Sequence, residues 1–261
     1  MKPEKAYTFD TAIKSSWADT RPNFSEFEDV YDEMKLKRDA MRLKEKRARI
    51  FAQGAFDKSE DIELSEDFEY CLMEALHNRG WFDESVTVSA GSQYDDLFHG
   101  IDLILSFRID NADAKPTYEY LAIDATVAQN PDVLERKEKE IQNNLMTGQM
   151  AIAEYFINDN DPAIKGTIRM PRIIFGSLPT EAIEFKNLLS KGKNPSSDDQ
   201  NKLERYKQEI FQRIEEQLET WIEFLTKISQ TSTSPALKDR QEKIAAKYKK
   251  VLELFRKNKK G

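Results

Sequence analysis

Two short apolar runs in the middle of the chain set its pattern, residues 99–107 (HGIDLILSF) and 120–126 (YLAIDAT). Each is too short for an ordinary helix and rich in Ile, Leu, Phe and Tyr, which predicts buried strands. The turn-rich stretch 111–116 between them predicts a hairpin. Ahead of them, Val86 and Val88 alternate with Ser85, Thr87 and Ser89, the period-two signature of a half-buried strand over 81–90. Residues 91–96 read as a loop, and Arg172-Ile-Ile-Phe-Gly176 reads as one further short strand.

Helical patterns surround these strands. Ser25, with Glu28 in the capping-box position, predicts a helix running to Gln53 and stopped by Gly54. After an acidic linker at 57–63, Phe68, Cys71, Leu72, Ala75 and Leu76 step at helical spacing over 65–78, up to Gly80. Asn130-Pro131-Asp132 is a capped helix start, and its apolar stripe continues through Leu134, Ile141, Leu145, Ile152 and Tyr155, with Gly148 a weak point. Past Pro179 the pattern is almost wholly helical. Stripes from Leu203 to Ile228 and from Ile244 to Phe255 predict helices over 200–229 and 236–258, joined by a Ser/Thr/Pro loop. Such stripes are read as an intramolecular hairpin, with a homodimer seam as the second option. Residues 1–24 read as a loosely ordered arm that packs by its aromatics. The chain thus divides into an arm and basic helix (1–58), an α/β core (59–179) and a helical extension (180–261).

Composition narrows the class. The 261 residues are 33% charged and 39% apolar, with 9 Gly and 9 Pro, which suits a helix-rich globular chain. The one cysteine, Cys71, lies on an apolar stripe and reads as a buried thiol. No run resembles a membrane span or a signal peptide, so the expected location is cytoplasmic. A net charge of −7 argues against a nonspecific nucleic-acid coat. The charge is uneven, however: residues 35–49 hold eight Lys/Arg against two acids, and 238–260 hold ten against three. Both basic helices are candidate phosphate-binding surfaces or, equally, solvated faces.

The candidate chemistry comes from the carboxylates that interrupt the apolar runs, Asp102 and Asp124. A buried unpaired charge costs several kcal/mol. Two aspartates on neighbouring strands therefore point to a divalent cation with oxygen ligands. Alternation along a strand directs Asp124 and Thr126 to the same side, and the carbonyl of Ala125 is a further candidate ligand. His99 reads as a hydrogen-bonded loop histidine, Asp95 and Asp96 as turn caps rather than ligands of a second metal, and His77 as a helix-end cation. There is no phosphate-binding glycine loop, dinucleotide turn, zinc spacing or serine-hydrolase elbow.

The order helix, strand, strand, strand, helix, strand over residues 66–177 resembles the core of the PD-(D/E)xK, or restriction-endonuclease-like, nucleases. The resemblance covers under half of the chain. It implies an α/β (α+β) fold with an αβββαβ core and a mixed central sheet, here with an N-terminal helix and a C-terminal helical hairpin added. Asp102 matches the aspartate of the family's second strand and Asp124 the acid of its third. The resemblance further implies a glutamate from the preceding helix, for which Glu69 fits best and Glu74 is the reserve. Where the family pattern has lysine, this chain has Thr126. Lys137 is the expected substitute, because it follows Leu134 by three residues and precedes Ile141 by four; Arg136 and Lys139 point farther round that helix. The implied activity is Mg²⁺- or Mn²⁺-dependent hydrolysis of phosphodiester bonds in nucleic acid, DNA ahead of RNA. The alternative is a fold of this type that no longer cuts and serves as a nucleic-acid- or protein-binding module.

Overall fold

The computed structural model describes residues 20–52, 59–112, 114–128, 130–191 and 195–260. The predicted arm at 1–19, the stop at Gly54 and the start of the acidic linker lie outside them. Strands β1 (Val86–Ala90), β2 (Leu103–Asn111), β3 (Ala114–Val127) and β6 (Arg172–Ser177) form a four-stranded mixed sheet in the order β1-β2-β3-β6. The first three are antiparallel to their neighbours and β6 runs parallel to β3. A smaller antiparallel pair, β4 (Ala151–Ile157) and β5 (Lys165–Met170), is inserted before β6. The class is thus mixed α/β.

Burial explains the strand pattern. β1 is buried at alternate positions, whereas Leu103–Phe107 of β2 and Tyr120–Ala125 of β3 are buried continuously, as central strands covered on both faces must be. Leu103, Leu105, Phe107, Leu121 and Ile123 enter the main core with Leu72 and Leu76 of helix α2 (Ser59–Asn78). Phe185 of α5 (Pro179–Ser190) and the hairpin of α6 (Ser197–Thr231) and α7 (Pro235–Asn258) complete that core. On the other side Ile104, Tyr120 and Ala122 pack against Ala153, Phe156 and Met170 of the β4–β5 pair. Helix α1 (Glu33–Ala52) sits apart, closing a third cluster of Phe27, Leu36, Leu43, Tyr94 and Tyr155.

The C-terminal hairpin does more than supply apolar area. The open edge of a terminal strand carries unpaired backbone groups, and side chains of α6 and α7 satisfy those of β6. Tyr248 Oη accepts from the Arg172 amide (3.2 Å) and donates to the Arg172 carbonyl (3.3 Å). Gln217 accepts from the Ile174 amide (2.9 Å) and donates to the Ile174 carbonyl, so that one side-chain amide mimics a paired strand. Arg213 donates to the Gly176 carbonyl (3.0 Å). Alternate residues of the edge are each closed from the helices.

Several expected elements differ. No helix starts at Ser25: Asn23 caps a 3-10 turn over Phe24–Phe27 with Glu26 as its reciprocal partner, and α1 begins at Glu33. Helix α2 spans Ser59–Asn78 and so takes in residues of the expected linker. The loop at 91–96 contains a short helix, α3 (Gln93–His99), with Ser92 accepting from the Asp95 amide and Gly100 closing it at φ 59°. Helix α4 (Pro131–Met146) stops before Gly148, which is left-handed at φ 71°. Ile152 and Tyr155, expected on its stripe, lie on β4. A seven-residue step across a helix-ending glycine, from Leu145 to Ile152, imitates a stripe that is not there.

The edge closure predicts that Gln217→Ala destabilises the fold by roughly 1–3 kcal/mol, the cost of leaving two strand groups unmet. Equilibrium urea unfolding checks this, and Gln217→Glu should lose nearly as much because it keeps the acceptor but not the donor.

Candidate metal centre

Asp102 immediately precedes β2 and extends the ladder with both its backbone and its side chain. Its amide donates to the Ile123 carbonyl (3.0 Å), and its Oδ2 accepts from the Ala125 amide (2.8 Å). One carboxylate oxygen thereby accepts from β3. Asp124, 1% exposed on β3, is held at both oxygens: Lys137 of α4 donates to Oδ1 and Arg172 to Oδ2. Lys137 also donates to the Thr126 hydroxyl (2.9 Å), and Arg172 also reaches Glu140 (2.9 Å). Gly100 makes room for this network, since a Cβ there would meet the Arg172 guanidinium and stand 2.8 Å from Asp124 Oδ2.

Beside this cation-bound aspartate lies a second group. Glu69 of α2, Asp96 of α3 and Asp102 offer carboxylate oxygens that all lie within 4.8 Å of one another. Glu69 and Asp102 are buried, and the Asp96 side chain is 36% exposed, which opens the trio to solvent. Arg21 spans two of its members, donating to Glu69 Oε2 (2.7 Å) and Asp96 Oδ2 (2.6 Å). Burial and then the Asp96 carboxylate push Glu69 from its ordinary 4.5 up to about 8, against the pull of Arg21. Burial, followed by Glu69, Asp96 and Asp124, raises Asp102 well above its usual range. An all-carboxylate donor set with this excess of negative potential fits a hard divalent cation. The cluster can hold a metal ion.

The residues singled out in the sequence fall into separate places. Glu69 and Asp102 meet in the trio, while Asp124, Thr126 and Lys137 form the neighbouring network. Ala125 contributes its amide to Asp102. Glu74 accepts from Asn78, one turn along α2. Asp95 does more than cap α3: it accepts from the Ser92 hydroxyl (2.7 Å) and from the amides of Glu154 and Tyr155 on β4 (2.6 and 2.9 Å). Asp96 belongs to the trio rather than to a turn. His99 ends α3, with Nε2 lacking a hydrogen-bond partner and 4.0 Å from Glu154 Oε1, so the expected hydrogen-bonded loop histidine is corrected. His77 lies in the last turn of α2, Lys139 pairs with Glu135, and Cys71 is buried.

Much of the basic charge is used within the chain. Lys35 pairs with Asp39 and Glu154, Lys247 and Lys250 with Glu119, and Arg256 and Lys259 with Glu215. Lys44, Arg47, Arg49, Lys249 and Lys257 remain exposed. Among the described residues no helix is long and apolar enough to cross a membrane.

Sequence reasoning missed Asp96, Arg21 and Arg172 as site residues. A signal existed for two of them. Ser92, Asp95 and Gly100 bracket a capped turn that carries Asp96, and an arginine heading an apolar strand implies a buried acid opposite it. Arg21 left no local signal. Comparison with family models, curated proteins and solved structures found no match.

A carboxyl kept protonated above its ordinary range stabilises the folded state at low pH. Its contribution is fully present below about pH 4.5 and is lost as pH rises through about 8. Unfolding free energy should therefore fall by a few kcal/mol between these limits. Glu69→Gln should flatten the slope, as checked by urea midpoints from pH 5 to 9.

Proposed function

We propose that this chain is a metal-dependent nuclease of the PD-(D/E)xK type, hydrolysing phosphodiester bonds in DNA more readily than in RNA. The observation that carries the reading is the Lys137 ammonium, which lies on both the Asp124 carboxylate and the Thr126 hydroxyl. In this reading Lys137, delivered from helix α4, takes the part of the family's third-strand lysine. The element order supports the same reading: without α3 and the β4–β5 insertion, α2 to β6 runs αβββαβ. Asp102 precedes the second of these strands and Asp124 lies on the third.

Each residue has a chemical task in this proposal. Glu69, Asp96 and Asp102 are the ligands for Mg²⁺ or Mn²⁺, with Asp124 adjacent rather than a member of the set. The metal supplies polarisation of the phosphoryl oxygen and stabilisation of the leaving alkoxide. Lys137 has three donors and spends two, on Asp124 and Thr126, so the third is available to a substrate oxygen or the attacking water. Asp124 holds the ammonium in place. Thr126 fixes its direction, the task a neutral hydroxyl can perform where it cannot replace a charge. Exposed Lys44, Arg47, Lys249 and Lys257 are the candidates for backbone phosphate contact.

A specific observation favours the alternative, a fold of this type that binds without cutting. Both oxygens of Asp124, the acid on the third strand, already accept from the cations Lys137 and Arg172, so that carboxylate is neutralised with no metal needed. That reading expects salt-sensitive nucleic-acid binding with no metal requirement.

Incubation with single- and double-stranded DNA in Mg²⁺ or Mn²⁺ separates the two. The nuclease reading expects cleavage that Asp102→Asn abolishes and that Lys137→Ala lowers about 100-fold or more, with DNA affinity held within a few-fold. Binding without cleavage in either metal selects the module.

A further inference from the structure

Arg21 is placed where a metal bound to the trio would compete with it. Its side chain is 6% exposed, and its planar fork joins Glu69 and Asp96, which reach it from two different helices. It takes one oxygen from each of these carboxylates. A divalent ion needs the same carboxylates within roughly 2.0–2.6 Å, which sets two cations against each other in a largely dehydrated space. Their repulsion there is weakly screened. The two occupants are antagonists for one set of ligands.

The segment that carries Arg21 is suited to withdraw. It enters the 3-10 turn Phe24–Phe27, whose rings pack edge-on against Tyr155 and Tyr94 and anchor the far end. Arg21 and that anchor together line a cavity of about 180 Å³, with Pro22, Phe24, Leu43, Tyr94 and Tyr155 in its wall. Close packing would resist displacement. The cavity gives the Arg21 side chain space beside its aromatic anchor, and the Asp96 side chain, 36% exposed, is the member of the trio open to an arriving ion.

We propose that Arg21 is a displaceable latch on the acidic centre: it neutralises the carboxylates in the metal-free protein and must leave them for a divalent cation to bind. The proposal rests on the trio being the metal site of the proposed nuclease. By thermodynamic reciprocity, a guanidinium that weakens metal binding is itself loosened by the metal. The metal centre is thereby gated by Arg21, ahead of the Phe24–Phe27 turn.

The test uses the full chain and Mn²⁺ alone. Calorimetric titration of the unmodified protein and of Arg21→Ala should give affinity at least about tenfold tighter in the variant. Arg21→Lys, which keeps the charge but loses the two-carboxylate fork, should fall between them and serves if Arg21→Ala does not fold. In the unmodified protein, saturating Mn²⁺ should speed amide hydrogen exchange over residues 20–28 and leave β2 and β3 unchanged. Equal or weaker Mn²⁺ affinity in both variants, or unaltered exchange at 20–28, overturns the latch and leaves the metal site standing. Failure of every form to bind Mn²⁺ overturns the metal site and the latch together.

Discussion

Four carboxylates, Glu69, Asp96, Asp102 and Asp124, are drawn together at one end of the central strands, and all but Asp96 are buried. Gathering like charges away from water is costly unless cations or protons accompany them. The surrounding structure supplies those partners. Lys137 and Arg172 take both oxygens of Asp124, Arg21 bridges Glu69 and Asp96, and the raised proton affinity of Glu69 and Asp102 marks what remains uncompensated. The result is an uneven division, with Asp124 answered by two cations, Glu69 and Asp96 sharing one guanidinium, and Asp102 met by a backbone amide.

That division ties the site to the whole fold. Arg172 heads β6, whose parallel pairing with β3 brings its guanidinium to Asp124. Its backbone is held in turn by Tyr248 of α7, so the C-terminal hairpin positions the cation on Asp124 as well as closing a sheet edge. Gly100 ends the helix that carries Asp96 and simultaneously leaves space for Arg172 against Asp124. Asp102 accepts from the Ala125 amide, which ties a member of the trio to β3. Stability and site chemistry therefore draw on the same few residues, and a proton or a metal added at the trio acts on both.

The parts of this arrangement visible in the sequence are those carried by local pattern. Asp102 and Asp124 stand out because each breaks an apolar run, and Lys137 because its spacing from Leu134 and Ile141 sets its face of α4. The paired α6–α7 stripes were equally plain. What escaped depends on turn chemistry or on distant chain. Seven-residue α3 is held by Ser92 and Gly100 rather than by a long stripe, so Asp96 read as loop. β4 was masked because Ile152 and Tyr155 continue a helical spacing past Gly148, where the backbone turns left-handed. Arg21 lies 48 residues from Glu69 and 75 from Asp96, and only tertiary folding brings them together.

The central claim is that Glu69, Asp96 and Asp102 form a divalent-cation site from which Asp124 stands aside. A crystal soaked in Mn²⁺ and measured for anomalous scattering addresses it directly. The account predicts one anomalous peak ligated by these three carboxylates, with Asp124 still bound to Lys137 and Arg172. A peak on Asp124, or none at the trio with Mn²⁺ saturating, would contradict it.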